Sequence, residues 1–544
     1  MASTESGTSQ EQRPIFVRKA TGLVKGWSAF DVFIYSALVV SPVTFGFFVF
    51  SLAPFFPNGS LLWAVVASCV FILFEVIVYA TLIAAIPRAG GDYVWQSRIL
   101  HGSIGFIMPA VAWWFILWHF APIEANILVL EVFAPLALIA GLPGVAEWFA
   151  GSDGIFVSCV IVCAAASFYI LLGLRGYSRI QRVLFYAGVV GIVIVIGLLL
   201  FSSKESFIAA YDREAVDLFG AGPGAYQATL EAGGYSTPSV THFDFAGIFL
   251  LIPLLLFWNL YPNWGAALSG EVRGAKDFRK NVYAMGGALL FMAGVACVLF
   301  LLISKTMGWD FYNAANNAYW GPIYGYGEGG PVGAWPYPIT MASWLIDSAV
   351  VQFVVTALVG LWFVAFLGST FLSSTRVIFA AAFDRVLPEW AARLSSRRAV
   401  PVGALLLMVI PSLIVSALYA YTDDFATYTL DAVLVIAASY LVTSVAAAVM
   451  PWRMRRVYEA SSVANWRIAG VPVLSLCALV FGGFLVYAMI YWLQDDLYGV
   501  NNKSSLIYIG CLYALAVTIY VVARVMRARE GISLDSVHHE IPVE

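Results

Sequence analysis

The chain has 544 residues, of which 61% are hydrophobic and only 11% charged, and its mean hydropathy is +0.86. A soluble domain carries roughly twice that charged fraction, so a water-soluble globule is excluded, and apolar runs that do not alternate with polar residues exclude a closed β-barrel. The formal net charge of −3 discriminates little; the placement of the charges says more.

Residues 1–26 are polar and basic, with no apolar stretch ahead of the first long run, so no cleavable leader is expected. Runs that reach the roughly 18 to 20 residues needed to cross hydrocarbon as a helix lie near 27–53, 61–86, 104–137, 154–174, 180–203 and 245–269. Six more lie near 282–306, 342–376, 401–420, 430–451, 470–492 and 505–526. With the N-terminus inside, 25 of the 29 Lys and Arg fall on cytoplasmic segments, leaving Lys204, Arg213, Lys305 and Lys503 outside. Basic loops stay cytoplasmic, so the expected fold class is an all-α membrane protein of about twelve transmembrane helices with both termini cytoplasmic.

Two runs are interrupted in mid-membrane. In the first, Val40-Ser41-Pro42-Val43-Thr44-Phe45-Gly46 breaks an apolar stretch; in the sixth, Asn259-Leu260-Tyr261-Pro262-Asn263-Trp264-Gly265 does the same. Pro removes an amide and clashes with the preceding turn, while Gly relaxes the backbone. In lipid the groups so freed need partners, and a break persists only where protein or a wet cavity receives it. One such break alone reads as a kink. Two of them, five spans apart, predict two five-helix repeats of opposite orientation with a solute site between broken helices 1 and 6. The chain then divides into a cytoplasmic tail (1–26), a first repeat (27–203), an extracellular loop (204–244), a second repeat (245–451), two added helices (452–527) and a second tail (528–544).

Between spans 7 and 8, a second long outside loop, 308–340, has no Lys or Arg but carries Trp309, Tyr312, Trp320, Tyr324, Tyr326, Trp335 and Tyr337. It reads as a lid over the outer vestibule or as an interfacial aromatic belt. All six cysteines fall inside spans and are expected to pack, not to form a disulfide framework. Metal-ligand spacing, a phosphate-binding glycine loop and a nucleophile elbow are absent from the sequence, so no enzyme is expected.

Charged residues in hydrocarbon are costly and are functional suspects. Glu75 lies near the middle of helix 2 and Glu124 near the middle of helix 3, with His119 five residues before it and Glu131 seven after. At about 100° per residue Glu124 and Glu131 share a face and His119 points about 140° away. A buried carboxyl could carry a proton through a transport cycle; the competing reading is a group that caps an unwound neighbour. Asp31 and Asp347 lie near the interfaces, where gate and snorkelling roles both fit. Arg88, Asp92, Glu271, Arg376 and Asp384 gather on the cytoplasmic side and are candidates for an inner gate, with a solvated loop as the alternative.

Three stretches carry a resemblance. After helix 2 comes Ile86-Pro87-Arg88-Ala89-Gly90-Gly91-Asp92-Tyr93-Val94-Trp95, and after helix 6 Ser269-Gly270-Glu271-Val272-Arg273 with Arg279-Lys280-Asn281 beyond it. At the end of helix 8 come Ser374-Thr375-Arg376-Val377-Ile378-Phe379-Ala380, then Phe383-Asp384-Arg385-Val386-Leu387-Pro388, and finally Pro401-Val402. In order and placement these are similar to motifs of the amino acid–polyamine–organocation (APC) superfamily of secondary transporters, over roughly residues 20 to 451.

The resemblance implies the leucine-transporter fold, a 5+5 inverted repeat plus two helices, and a permease moving amino acids by proton or sodium symport or by exchange. Carried over position by position, helix 1 contacts with substrate are Val40, Ser41, Pro42, Val43, Thr44, Phe45 and Gly46, and helix 6 contacts are Phe257, Trp258, Asn259, Leu260 and Tyr261. Half-helix N-termini attract a carboxylate and C-termini an ammonium, which suits a zwitterion. His119 and Glu124 are added as substrate-binding candidates. The chain departs from the family in helix 1, which has Gly46 but not the usual closely spaced glycines; Ser41, Thr44 and Asn259 are expected to supply side-chain contacts instead.

The lysine that several relatives place in helix 5 falls on Gly188, and helix 5 has no Lys. Ser369 and Thr370 in helix 8 are hard oxygen donors near the depth of the helix 1 break, so Glu75, Ser369 and Thr370 are the ion-coupling candidates, for sodium or a proton. No cofactor is expected apart from such a sodium ion. The expected partners are the lipid bilayer and a small-molecule substrate, an amino acid or close relative; no nucleic acid is expected, and oligomeric state is left open. A polyamine or organic-cation transporter is the alternative within the class, and a channel or non-transporting sensor the alternative outside it.

Overall fold

Apolar runs in lipid leave the backbone no partner but itself, and long runs of this chain accordingly become helical. The structure, a computed structural model, describes residues 21–56, 58–234, 238–422 and 431–541. These contain twelve helical stretches long and apolar enough to cross a membrane, here spans 1 to 12. In order they are Ala29–Phe50, Leu61–Ala85, Gly102–Ile139, Ser152–Leu171, Gly173–Phe201, Phe245–Glu271, Phe278–Thr306, Ala349–Phe383, Val402–Tyr421, Asp431–Arg453, Val473–Gln494 and Lys503–Arg529. Polar residues mark several starts. Ser28 and Asp31 form a reciprocal capping box at span 1, Asp244 caps span 6, Asp277 span 7 and Asn502 span 12.

In its most apolar stretch span 1 is 89% buried and span 6 is 72% buried, against 22% for span 12. Spans 1 and 6 are thus central and span 12 lies at the rim. Span 1 packs on span 7, span 2 on spans 6, 7 and 11, span 5 on span 8, and span 4 on spans 3 and 9. A two-stranded antiparallel hairpin, Arg467–Ile468 with Val471–Pro472, joins spans 10 and 11. The links after spans 2, 4, 6 and 8 and the segment after span 12 gather at one end, called the basic face below: Gly26 N donates to Glu271 O, Arg398 to Leu171 O and Arg527 to Arg385 O.

Several stretches differ from the sequence expectation. Span 3 is not a regular α-helix: π-helical turns at Val111–Phe115 and Val129–Phe133 and a 3₁₀ turn at Ile116–His119 interrupt it, and Pro109, Pro122 and Pro135 each remove an amide along it. Span 8 begins at Ala349, not near 342, and stops at Phe366 before resuming at Ser369. Gly368 between them has φ +86, and an added Cβ there would sit 3.0 Å from Ala166 Cα in span 4. Left-handed backbone and close approach together call for glycine.

The two long links are largely helical: Lys204–Phe219 and Ala225–Gly233 in one, Trp309–Ile323 and Pro338–Ser343 in the other. In the second, Trp320 donates to Ser51, Tyr324 and Tyr326 pack edge-on to Phe55, and Tyr337 donates to Val43 O. Those aromatics cover the second half of span 1, as a lid does. The six cysteines carry no disulfide.

Candidate functional site

In span 1 the α-helix ends at Val39, Val40 and Ser41 leave helical geometry, and Pro42 starts the next helical turn. The missing Pro amide is harmless at such a start. Ser41 Oγ accepts from Val43 N at 3.1 Å, and Thr44 Oγ1 reaches back to Leu38 O at 3.0 Å. In span 6 the α-helix ends at Asn259, Leu260 and Tyr261 are not helical, and a 3₁₀ run starts at Pro262. Val40, Ser41, Pro42, Val43, Thr44, Phe45, Gly46, Trp258, Asn259, Leu260 and Tyr261 are all buried, and Phe257 is half-buried.

The two interruptions touch. Trp258 Nε1 donates to Val40 O at 2.8 Å, and Ser36 Oγ donates to Pro262 O at 2.8 Å. Tyr337 of the lid donates to Val43 O at 3.1 Å. These three carbonyls thus accept from side chains of the protein. The side chains expected to supply contacts are also engaged, Ser41 and Thr44 as above and Asn259 Nδ2 with Ser68 Oγ at 2.7 Å, although Asn259 Oδ1 has no hydrogen-bond partner.

Buried acids surround this centre. Glu124 accepts from Thr370 through one oxygen, and the other is unpartnered. Nearby, the Tyr35 hydroxyl lies 2.5 Å from both Ser369 O and Ser373 Oγ, and Ser373 donates to Trp264 O at 3.0 Å. Ser369 and Thr370 open the second half of span 8, a placement invisible while span 8 was read as one helix. They meet Glu124 and Tyr35, and Val40 O accepts from Trp258. Glu75 is fully buried with neither oxygen hydrogen-bonded. Gly188 lies against span 8, where a Cβ would come 2.7 Å from Trp362 Cβ, so a lysine there has no room.

Of the substrate candidates, His119 meets span 12. Its Nε2 lies 2.6 Å from the Tyr508 hydroxyl of span 12, whereas its neighbour Phe120 packs on Phe45, Tyr261 and Trp264. Span 3 thus presents Phe120 and Glu124 to the centre and the fully buried His119 to span 12.

The five gate candidates do not form one cluster. Glu271 and Arg376 make a buried bidentate ion pair at 2.7 and 3.1 Å. Asp384 instead pairs with Arg98 at 2.5 Å and accepts from Tyr93 at 2.8 Å. Burial disfavours the Arg98 charge, but the Asp384 carboxylate outweighs it and holds the guanidinium above its ordinary pKa. Arg98 was missed because its stretch read as loop; it lies on the helix Asp92–Ile99, tucked into the bundle. Gly90 and Gly91, at φ +102 and +44, allow that turn, and a Cβ on Gly90 would stand 2.5 Å from Ala380 Cβ. Asp92 faces inward, accepting from Tyr79 at 2.8 Å and from Thr443. Burial pushes its carboxyl up to about 6, against the pull of those hydrogen bonds. Arg88 contributes its carbonyl to Ser269 Oγ and turns its guanidinium to Pro87 O.

A cavity of about 630 Å³ lies under the lid, bordered by Phe45, Phe48, Ile123, Asn126 and Phe257. Another of about 610 Å³ opens on the basic face beside Glu271, Arg175 and Arg398. Between them lie the two interruptions, closed on both sides by packed side chains.

No curated protein matches the chain. A family described as Amino acid permease matches residues 25–519, more than nine-tenths of the sequence and all of the geometry above. The chain therefore belongs to the amino acid permease family of the APC superfamily, and it is a multi-pass secondary transporter, not an enzyme, that carries a small solute across a membrane.

Proposed function

We propose that the chain is an amino acid permease working by alternating access, with spans 1–5 and 6–10 as inverted repeats, spans 11 and 12 as additions, and the basic face cytoplasmic. The six segments run 1–26, 27–203, 204–244, 245–451, 452–527 and 528–544, tails and outer loop included. One observation carries the reading: spans 1 and 6, the two most buried, both leave helical geometry at mid-length, and Trp258 bridges the two interruptions to Val40 O. Backbone interrupted in the bilayer is tolerated where it lines a site. Substrate contacts are Val40, Ser41, Pro42, Val43, Thr44, Phe45 and Gly46 from span 1, Phe257, Trp258, Asn259, Leu260 and Tyr261 from span 6, and Glu124 from span 3. Glu75, Ser369 and Thr370 couple an ion, sodium or a proton, to movement. Glu271–Arg376 and Arg98–Asp384, with Arg88 and Asp92 beside them, hold the basic face shut.

Counterflow of radiolabelled standard L-amino acids into proteoliposomes tests this. Trans-acceleration by unlabelled amino acids but not by diamines is expected, and Tyr261→Ala should weaken it far more than Tyr508→Ala in span 12. Trans-acceleration by diamines alone selects the organic-cation reading; a flux with no trans-acceleration selects a channel. Equal effects of the two variants refute the site.

A further inference from the structure

The groups facing Glu75 share one property. Tyr79 stands one turn along its own helix, Asp92 opens the helix Asp92–Ile99, Tyr261 comes from the interruption in span 6, and Tyr440 from span 10; all four are in electrostatic reach of the Glu75 carboxyl. Every one is an acid. Spans 6 and 11 pack on span 2 and have no Lys or Arg along their α-helices, and span 7, also packed there, has Arg279, Lys280 and Lys305 only at its ends.

Two buried carboxyls within electrostatic reach of each other, with no Lys or Arg hydrogen-bonded to either among the described residues, cannot both ionise cheaply. The space between them is filled: Tyr79 packs edge-on to Tyr440 at 5.6 Å, Trp113 lies over Tyr440 at 6.0 Å, and Tyr440 donates to Asn263 at 3.0 Å. Aromatic rings pack around the pair, and a proton needs no more room than a hydrogen bond.

Resting on the permease reading above, we infer that Glu75 and Asp92 are the two stations of a proton relay, so that the coupling ion is a proton which Glu75 takes up beside the span 6 interruption and Asp92 releases toward the basic face. Tyr79 joins the stations. Its hydroxyl already donates to Asp92 Oδ1, and residues four apart on a helix are neighbours about 5 to 6 Å between Cβ atoms. In the transfer the Glu75 carboxyl gives its proton to the Tyr79 oxygen while Tyr79 passes its own to Asp92. Glu75 ends ionised, Tyr79 unchanged and Asp92 neutral; one proton has moved and no bond to carbon or electron has changed. An inner station suits release because Asp92, raised to about 6, gives up its proton readily at neutral pH.

The test uses proteoliposomes holding the full chain and a pH dye, supplied with a mixture of radiolabelled standard L-amino acids under an acid-outside gradient. Wild type should acidify the lumen as solute enters. In Glu75→Gln and Asp92→Asn the ratio of protons to solute should fall to background; a merely structural role would lower both fluxes and keep the ratio. Solute uptake driven by sodium without lumen acidification overturns the relay and leaves the permease standing. Infrared difference spectra of the purified protein between about pH 5 and 8 read the stations without solute, so the relay is judged even if no amino acid is carried. A protonated-carboxyl band altered in each variant supports the pair, and a spectrum unchanged in both overturns it.

Discussion

Replacing Glu271 with Gln keeps the shape of the side chain and removes its charge. Glu271 and Arg376 are each about 2% exposed, and the guanidinium meets both carboxylate oxygens at 2.7 and 3.1 Å. Breaking one partner of such a pair leaves a buried charge uncompensated and costs about 3 to 5 kcal/mol. The cost applies only to the state in which the pair is closed, so Glu271→Gln should shift the equilibrium toward an open basic face by about two to four orders of magnitude. Ser269, 2% exposed beside the pair, reports that opening. In a background without the native cysteines, Ser269→Cys should react slowly with an impermeant maleimide, and adding Glu271→Gln should accelerate labelling steeply. Pairing Glu271→Gln with Arg376→Met should restore slow labelling, because a neutral pair of similar volume carries no stranded charge. Unchanged labelling in the single variant, or no recovery in the double, refutes the assignment of this pair as a lock.

Trp258→Phe keeps most of the ring packed on Phe50, at 4.9 Å between centroids, but strands the Val40 carbonyl. A loss of about 1 to 3 kcal/mol is expected in a denaturant series, and no loss would contradict the bridging role. Gly188→Ala forces a methyl against Trp362 and should cost about 1 to 3 kcal/mol, read as a lowered unfolding midpoint; a wild-type midpoint would show that spans 5 and 8 are less tightly apposed. For Asp92 the folded pKa, about 6, is above the ordinary carboxyl value of 3.8. Its contribution to stability is therefore fully present below about pH 4, fades as pH rises through about 6, and amounts to about 3 kcal/mol at 1.36 per unit. The midpoint of Asp92→Asn relative to wild type should rise across that window and then flatten; a constant difference would be the contrary result.

Twelve spans were legible because hydropathy is a local property, and the interruptions at Val40–Ser41 and Leu260–Tyr261 because proline marks them. The interruption at Leu367–Gly368 was not: a lone glycine in an apolar run has no distinctive pattern, and its left-handed backbone is selected by Ala166 of span 4. Constant angular steps set His119 about 140° from Glu124, and the two do meet different neighbours, although three irregular turns interrupt span 3 between Ala110 and Ala134. The groups that occupy the span 1 carbonyls come from 218 and 294 residues away, beyond the reach of any local signal. Arg98 was hidden differently, in a stretch too polar to read as buried until Gly90 and Gly91 turn it inward.

Those distant partners bear on how solute binding and lid movement are joined. The Val40 carbonyl, at the end of a half-helix, is an acceptor a substrate ammonium would seek, and the Val43 carbonyl stands across the interruption, in the first turn of the next half-helix. Each already holds a neutral donor, the Trp258 indole on span 6 and the Tyr337 hydroxyl on the lid. A charged donor makes roughly twice as strong a hydrogen bond as a neutral one, so an ammonium can displace either, provided the displaced group is not left buried and unpaired. Tyr337 meets that condition only if its segment moves, since its ring stacks on Trp335 and packs edge-on to Phe47 inside the closed lid. A carbonyl oxygen has two lone pairs, so solute at Val43 O competes with closure of the lid by Tyr337 where both donors claim the same one. A ligand shifts such an equilibrium by its differential affinity for the two states, and here competition for a single carbonyl supplies that difference without any longer path through the bundle.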